Sequence, residues 1–505
     1  MKSKTLMKSK TLMKSKTVFL IMMFVAAGSL LSAQGLKVEP GTCIKVESGA
    51  ILDISIGDLF LKSDATGDAT IIALGSVTMG TGNAIVQRYM PGADSAWHMI
   101  SSPVNGMAIT GSDWDPGDYE DLFLWSEPSP GTTVSFKNTT ISPTFNETNP
   151  GDNFVTGRGY IAVYNSLNPT NNFVSSSLNQ GDINITLAKS TAKRWDWSGG
   201  WNLIGNPYPS GLDWSAVTKD NIVTESSAQI YDPNRDGGEG YVIISGTIAP
   251  GQGFFVQAVS NNAILALHPS QQVHTTGQSF LKQQASEDKL VLRITSGEYY
   301  DETKILIHEA SSHEHDFHDA TKLYSFNPQV PHLCSQITSG RGLAIHSIPA
   351  ISETMTIPLS IKVQGNSIMS ISMTEIAGVF EEQTIYLHDL LTNTITKLSE
   401  IPTYNFIANS NDNPDRFLLK FGVLDINEFP DNNLLNAYVN NNLLYIDNPD
   451  AIVAQVEVYN IVGQPILSKE IGQGLQSIPL NVAPGTYIVM MRTDMAIATR
   501  KIFIH

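Results

Sequence analysis

Three clusters in this 505-residue chain carry side chains able to do chemistry. The first is Asp232-Pro233-Asn234-Arg235-Asp236-Gly237, an Asp-x-Asn-x-Asp-Gly run. Hard oxygens at alternate positions suit Ca²⁺, and the Gly permits a sharp turn. The twelfth position is Ile243, not the Glu that completes an EF-hand. Asp232, Asn234 and Asp236 are therefore candidate calcium ligands, set against the hairpin loop that the same residue types favour. The second cluster is His308, His313, His315 and His318, mixed with Glu309, Glu314, Asp316 and Asp319. Imidazoles and carboxylates bind zinc when geometry gathers them. Here the next His after His308-Glu309 comes one position too late for one helical face, so the spacing predicts a solvated loop leading to a helical turn near Asp319–Leu323. The third is Trp195 and Trp197, which would share one face of a strand. With Tyr208 and Trp214 they form a candidate sugar-stacking platform, set against aromatic packing in a core.

Motifs with a fixed local signature are absent. There is no Gly-x-Ser-x-Gly, no Cys-x-x-Cys, no P-loop and no Gly-x-Gly-x-x-Gly between a strand and a helix. A glycosidase needs only two carboxylates brought together by the fold, and 48 acidic residues give no way to choose the pair. No catalytic residue is assigned, and no cofactor beyond the calcium candidate.

The elements that position these clusters read as strands and turns. Trp97-His98-Met99-Ile100-Ser101-Ser102-Pro103 echoes Trp201-Asn202-Leu203-Ile204-Gly205-Asn206-Pro207. Leu122-Phe123-Leu124-Trp125 matches Ala228-Gln229-Ile230-Tyr231, and Gly157-Arg158-Gly159-Tyr160 matches Gly251-Gln252-Gly253-Phe254. Each unit is a strand ending at a Pro turn, a long loop, an aromatic strand, and a Gly-x-Gly step into a last strand. Residues 91–265 are thus a duplicated β-domain whose copies share a core. Trp97 and Met99, like Trp201 and Leu203, fall on one face, and Ile100 and Ile204 on the other. Trp97 and Trp201 are expected core anchors, and Pro103 and Pro207 strand ends.

Before the repeat, residues 34–90 alternate short apolar runs with Gly, Ser and Asp at roughly ten-residue spacing, which suggests strands and turns, arranged as a short β-solenoid or as a plain meander. After it, 266–286 reads as a Gln-, Ser-, Thr- and His-rich linker. Residues 287–424 follow the pattern of a β-sandwich. Cys43 and Cys334 stand alone in different domains, so no disulfide framework is expected. The expected fold class is all-β, a string of sandwich-like domains.

At the N-terminus, six lysines precede an apolar run from Val18 that ends near Ala33. A basic region, a short apolar core and a small residue define a secretory signal, 1–33, with cleavage expected after Ala33. Its removal leaves 25 of the 31 basic residues against 48 acidic ones, a balance of −23. That argues against nucleic acid as a partner.

The last stretch, 433–505, again reads as strands and turns. Val456-Glu457-Val458-Tyr459-Asn460-Ile461-Val462-Gly463, then Pro484-Gly485-Thr486-Tyr487, then Arg500-Lys501 before an apolar end, come in an order that resembles the C-terminal sorting domain of cargo of the type IX (Por) secretion system of Bacteroidetes. The Tyr-Pro-Asn-Pro often found at that domain's start is absent. The resemblance implies export across the outer membrane, with the secretion machinery as a partner and Gly463, Pro484, Gly485, Tyr487, Arg500 and Lys501 as sorting residues. It also implies an extracellular or cell-surface location. The preceding domain, with Asp301-Glu302-Thr303, Leu387-His388-Asp389-Leu390 and Arg416-Phe417, resembles one found before the sorting domain in large Bacteroidetes surface proteins.

These readings lead to a secreted or cell-surface non-catalytic protein that adheres or binds a ligand such as a glycan. A secreted hydrolase and a structural spacer are the alternatives, since function must be argued from a site.

Overall fold

The computed structural model describes residues 23–25, 30–92, 96–115, 121–125, 127, 136–138, 153–163, 169–190, 199–235, 237–275, 288–325, 327–352, 355–365, 367–422, 436–440, 443–448, 454–472, 474–492 and 497–504. Those residues are all-β, with short 3-10 turns at Trp214–Ala216, Pro269–Gln271 and Gly378–Glu382 as the only helical pieces among them.

The first body is the solenoid. Cys43–Val46 lies parallel to Thr70–Ala73, and Ile51–Leu61 lies parallel to Ser76–Met79 and Ala84–Tyr89. Leu52 faces Val77 and Leu59 faces Ala84, so the chain returns on itself after about 25 residues, one coil per turn. Parallel strands need such a crossover. The coils stack so tightly at Gly80 that a Cβ there would sit 2.0 Å from the Ser55 carbonyl oxygen. Leu30–Val38 adds a further parallel strand and spans the expected cleavage point after Ala33.

The boundary expected at residue 90 falls inside one packed unit. Thr170–Ser175 pairs antiparallel with Ala84–Tyr89, and Val46, Leu52 and Ile54 share a core with Ile100, Tyr160 and Phe173. A solenoid end cannot bury its own last coil, and the first repeat copy covers it.

The duplication is plain in the ladders. Trp97–Ile100 pairs with Tyr160–Val163, and Trp201–Gly205 pairs with Gly253–Gln257. The copies join reciprocally, through bridges between Ile100 and Gln252 and between Arg158 and Ile204. The period-2 faces fall as the sequence requires. Ile100 enters the first core and Ile204 the second, while Met99, Trp201 and Leu203 meet Trp125 and Phe255 between the copies. The strands stop at Ile100 and Gly205, before Pro103 and Pro207. The second copy continues past residue 266, because Gln272–Val273 pairs with Gly211–Asp213. The linker expected from residue 266 therefore overlaps the second copy through Val273.

The next body is an eleven-stranded sheet running from Thr394–Lys397 to Thr403–Ala408 around one core. Its two ends are tied by buried polar groups. Tyr404, on an end strand, donates its hydroxyl to Asp389 Oδ2 at 2.8 Å, and Asp389 sits near the opposite end. Arg416 donates Nε and Nη2 to the same carboxylate, at 2.8 and 2.6 Å, and Nη1 to the Ile407 carbonyl. The last body holds a three-stranded and a four-stranded sheet packed over Val456, Val458, Val489 and Ile502.

Candidate functional site

The first three bodies meet around an open cleft of about 970 Å³. The hairpin Ser63–Asp68 supplies one wall, the strand Gly240–Ile244 a second, and the strand Tyr299–Ile307 a third. On that third strand the pleat turns Tyr300, Glu302, Lys304 and Leu306 to the cleft, with His308 just beyond its end. Asp301, Thr303 and Ile305 are buried, and Asp301 still borders the cleft.

Asp301 is the hub that fastens two bodies. Its Oδ1 accepts from Arg235 at 3.0 Å, and its Oδ2 from Lys322 at 2.5 Å and the Leu333 N–H at 3.0 Å. Burial alone would raise its pKa. The Lys322 ammonium, with His332 and Arg235, outweighs burial and holds the carboxyl well below the usual carboxylate range.

That arrangement shows how the Asp232–Gly237 loop is used. Asp232 Oδ1 accepts the Asn234 N–H at 2.9 Å, an Asx turn closing the hairpin between Ala228–Asp232 and Gly240–Ile244. Asn234 donates its side-chain N–H to the Pro91 carbonyl, and Arg235 reaches across to Asp301. The Gly237 carbonyl accepts the Tyr300 N–H at 2.7 Å. Gly237 has φ +83°, and a Cβ there would sit 2.0 Å from the Tyr300 ring. The loop is a docking latch between bodies. Asp236, the third candidate ligand, lies outside the described residues. Among those residues no group of three or more His, Cys, Asp or Glu side chains is placed to hold a metal ion.

The histidine stretch does not lead into a helical turn. Ala320–Thr321 is a short strand on Gly342–Ile348, because its backbone is drawn into a ladder edge. The loop before it clasps the repeat. His315 Nε2 lies 3.2 Å from Glu225 Oε1, and Ser226 donates its N–H to the Phe317 carbonyl. Glu225 is buried and also accepts the Thr321 N–H and hydroxyl. The His308 and His318 rings stack with centroids 3.6 Å apart, and both line the cleft. Burial, then the charge of His308, pulls the His318 pKa down. Asp319 accepts the Ser347 and Asp316 N–H groups, yet burial leads Asp316 and Glu225 in pushing its pKa up to about 7.

Trp195 and Trp197 lie outside the described residues. Their proposed companions are core groups: Tyr208 and Trp214 are both 0 % exposed, and each is hydrogen-bonded to backbone carbonyls. Trp201 is buried as expected, while Trp97 is half-buried and stacks on Phe123.

In the last body Gly463 takes φ +80° in the turn between Ala454–Asn460 and Pro465–Ile471, where Asn460 Oδ1 accepts the Val462 and Gln464 N–H groups. Pro484 leads into the strand Gly485–Arg492. Gly485 itself needs neither positive φ nor close approach, since an added Cβ would meet only ordinary contacts at 3.7 Å. Tyr487 is buried and donates its hydroxyl to the Ala483 carbonyl. Arg500 reaches the Thr392 carbonyl of the neighbouring body, and Lys501 lies over the Phe503 ring.

Sequence reasoning missed the cleft. Ser63, Arg88, Lys304 and Lys322 carry no motif, and only the fold brings them together.

Comparison with known proteins gives one family. No curated protein matches the chain. A solved structure titled "Biofilm associated protein - BSP domain" aligns over 83% of this chain and 92% of its own, at 8% identity and a TM-score of 0.16, a score from which neither fold nor function follows. The family model described as "Domain of unknown function (DUF8693)" matches twice, over residues 20–232 and 222–421. The second match ends at Phe421, the last residue of the final strand before the C-terminal body. The chain belongs to this DUF8693 family.

Proposed function

We propose that this is a non-catalytic protein of the cell surface or extracellular space, carried out by the type IX secretion machinery, that binds a ligand in the cleft between its first three bodies. The observation that carries the binding reading is how the cleft's carboxylates are used. Asp68 meets Ser63 and Arg88, Asp301 meets Arg235 and Lys322, and Glu302 meets Arg293. Asp64 and Asp232 close turns. A glycosidase needs two carboxyl groups free to serve as acid and as base or nucleophile, whereas these serve architecture. The large, half-polar, open shape suits a ligand recognised by many weak contacts.

The export reading rests on the resemblance of 433–505, and two features support it. That body has its own core and lies beyond the family match.

A glycan array and a panel of chromogenic substrates, tried with the chain from Gln34 onward, test the binding reading. Retention on at least one glycan class without turnover is the expected result. Turnover lost on changing a single acid overturns it in favour of a hydrolase, and neither retention nor turnover favours a spacer.

A further inference from the structure

Beyond that reading, we infer that the strand Gly240–Ile244 is a docking edge for a partner polypeptide, whose extended, uncharged, apolar segment adds to the sheet as one more strand.

This strand ends the four-stranded sheet of the second copy, with Ala228–Asp232 as its one neighbour. It meets the cleft edge-on. A strand seen by its face shows alternate residues, as Glu302, Lys304 and Leu306 do on the opposite wall, whereas every residue from Tyr241 to Thr247 lines the cleft. The backbone can be oriented as well. Tyr231, paired with Tyr241, donates its N–H away from that pair, to the Met99 sulfur at 3.4 Å. In an antiparallel pair both residues point their backbone groups inward or both outward, with a period of two. Tyr241 and Ile243 therefore turn theirs out of the sheet. The N–H and C=O of Ile243 have no hydrogen bond to the described residues.

Such an edge is ordinarily blunted by shortness, by Lys or by Pro. The end strand of the first copy, Phe136–Asn138, is three residues long and carries Lys137. Gly240-Tyr241-Val242-Ile243-Ile244 has five residues and no charge or Pro. Its side chains also leave both faces of the sheet unfinished. Tyr241 packs against the core between the copies and Val242 against the core of the second copy, and both are half-buried. One further strand would continue both cores, which calls for apolar residues in succession rather than in alternation.

The walls offer nothing to a charged ligand. Asp68 stands by Arg88, Asp301 by Arg235 and Lys322, and Glu302 by Arg293. Lys304 lies in the field of Glu375, and His318 in the fields of Asp316 and Asp220. Each sign is answered by the other, so recognition falls to main-chain hydrogen bonds and apolar contact, the terms of strand addition. A folded second copy would bring its edge together with the rest of its sheet. A recess of about 970 Å³ admits a single extended chain instead.

The test is fluorescence anisotropy on the chain from Gln34 onward, with a labelled peptide, Ser-Thr-Val-Ile-Val-Thr-Ser, as the probe. One control is the same peptide N-methylated at its three central residues, which keeps the side chains and removes the donors. The other replaces both Val with Asp. The expected result is binding of the first peptide roughly tenfold tighter than either control, with slowed amide exchange over residues 240–247. Ile243→Pro removes an outward donor and spares the ladder to Ala228–Asp232, since Pro is tolerated where the N–H faces out. It should weaken binding roughly tenfold. Ile243→Lys, the ordinary way to blunt an edge, should do the same, and it decides the matter if thermal unfolding shows that Ile243→Pro does not fold. Equal binding of the N-methylated or acidic peptide, no binding of the first peptide, unchanged exchange over 240–247, or unaltered affinity in a folded variant each overturns the strand-addition assignment. Retention on the glycan array is read separately, so that failure leaves the broader binding reading standing.

Discussion

The indole N–H of Trp125 donates to the carbonyl of Trp201 at 2.6 Å, across the seam between the two repeat copies. Trp125 thereby caps the strand that anchors the other copy, and Phe255 meets both rings edge to face. Trp201→Ala should cost roughly 3–5 kcal/mol, the range for a large buried aromatic. Trp97→Ala should cost less, because Trp97 is only half-buried. Urea unfolding followed by tryptophan fluorescence measures both. Small, equal effects would remove the anchor role.

The Asp389–Arg416–Tyr404 clasp joins the ends of the eleven-stranded sheet at side chains no more than 3% exposed. Arg416→Met leaves a buried carboxylate without its cation, a change that typically costs about 3–5 kcal/mol. Removing Arg416 and Asp389 together, as Arg416→Met with Asp389→Leu, should cost less than Arg416→Met alone. A double variant worse than the single one contradicts the clasp.

Asp319 gives the pH dependence. Its folded pKa is raised, from 3.8 to about 7. A raised carboxyl contributes stability that is fully present below its unfolded pKa, near 3.8, and is lost as pH rises through about 7. Asp319→Asn should therefore flatten the fall in stability between about pH 4 and pH 8 and gain on the parent chain toward alkaline pH. Chemical denaturation across that window reads it, and parallel curves for the two proteins would refute the assignment.

The Asp232–Gly237 latch predicts a conformational cost. Gly237→Ala must leave φ +83° or displace Tyr300, at roughly 1–3 kcal/mol. Thermal unfolding should show that loss equally with calcium and with chelator. A loss confined to calcium-loaded protein would assign the loop to the metal instead.

The ladders were legible wherever a period of two met a punctuating residue. Trp97-x-Met99 and Trp201-x-Leu203, each closed by a Pro, gave the faces, the strand ends and the duplication. The roughly ten-residue rhythm of 34–90 gave strands and turns, but not the coil, whose parallel strands return after about 25 residues. Boundaries were harder. Gln272-Val273 carries no strand signal of its own and is held by Gly211–Asp213, far away in sequence. Asp301, Arg235 and Lys322 are single charges in unremarkable contexts, and burial makes them a centre. The Asp232–Gly237 run was visible, but its use depends on Tyr300 sixty-odd residues later. The cleft lay beyond any local pattern because three bodies contribute to it.

Export is the central claim, and a deletion tests it most directly. The chain ending before Leu434 should be made, lose its leader, and stay inside the outer membrane of a type IX-competent host. The intact chain should appear on the surface or in the medium, and residues 433–505 fused to a periplasmic reporter should carry that reporter out. A shortened chain that reaches the surface as well as the intact one, with a reporter left behind, contradicts the account.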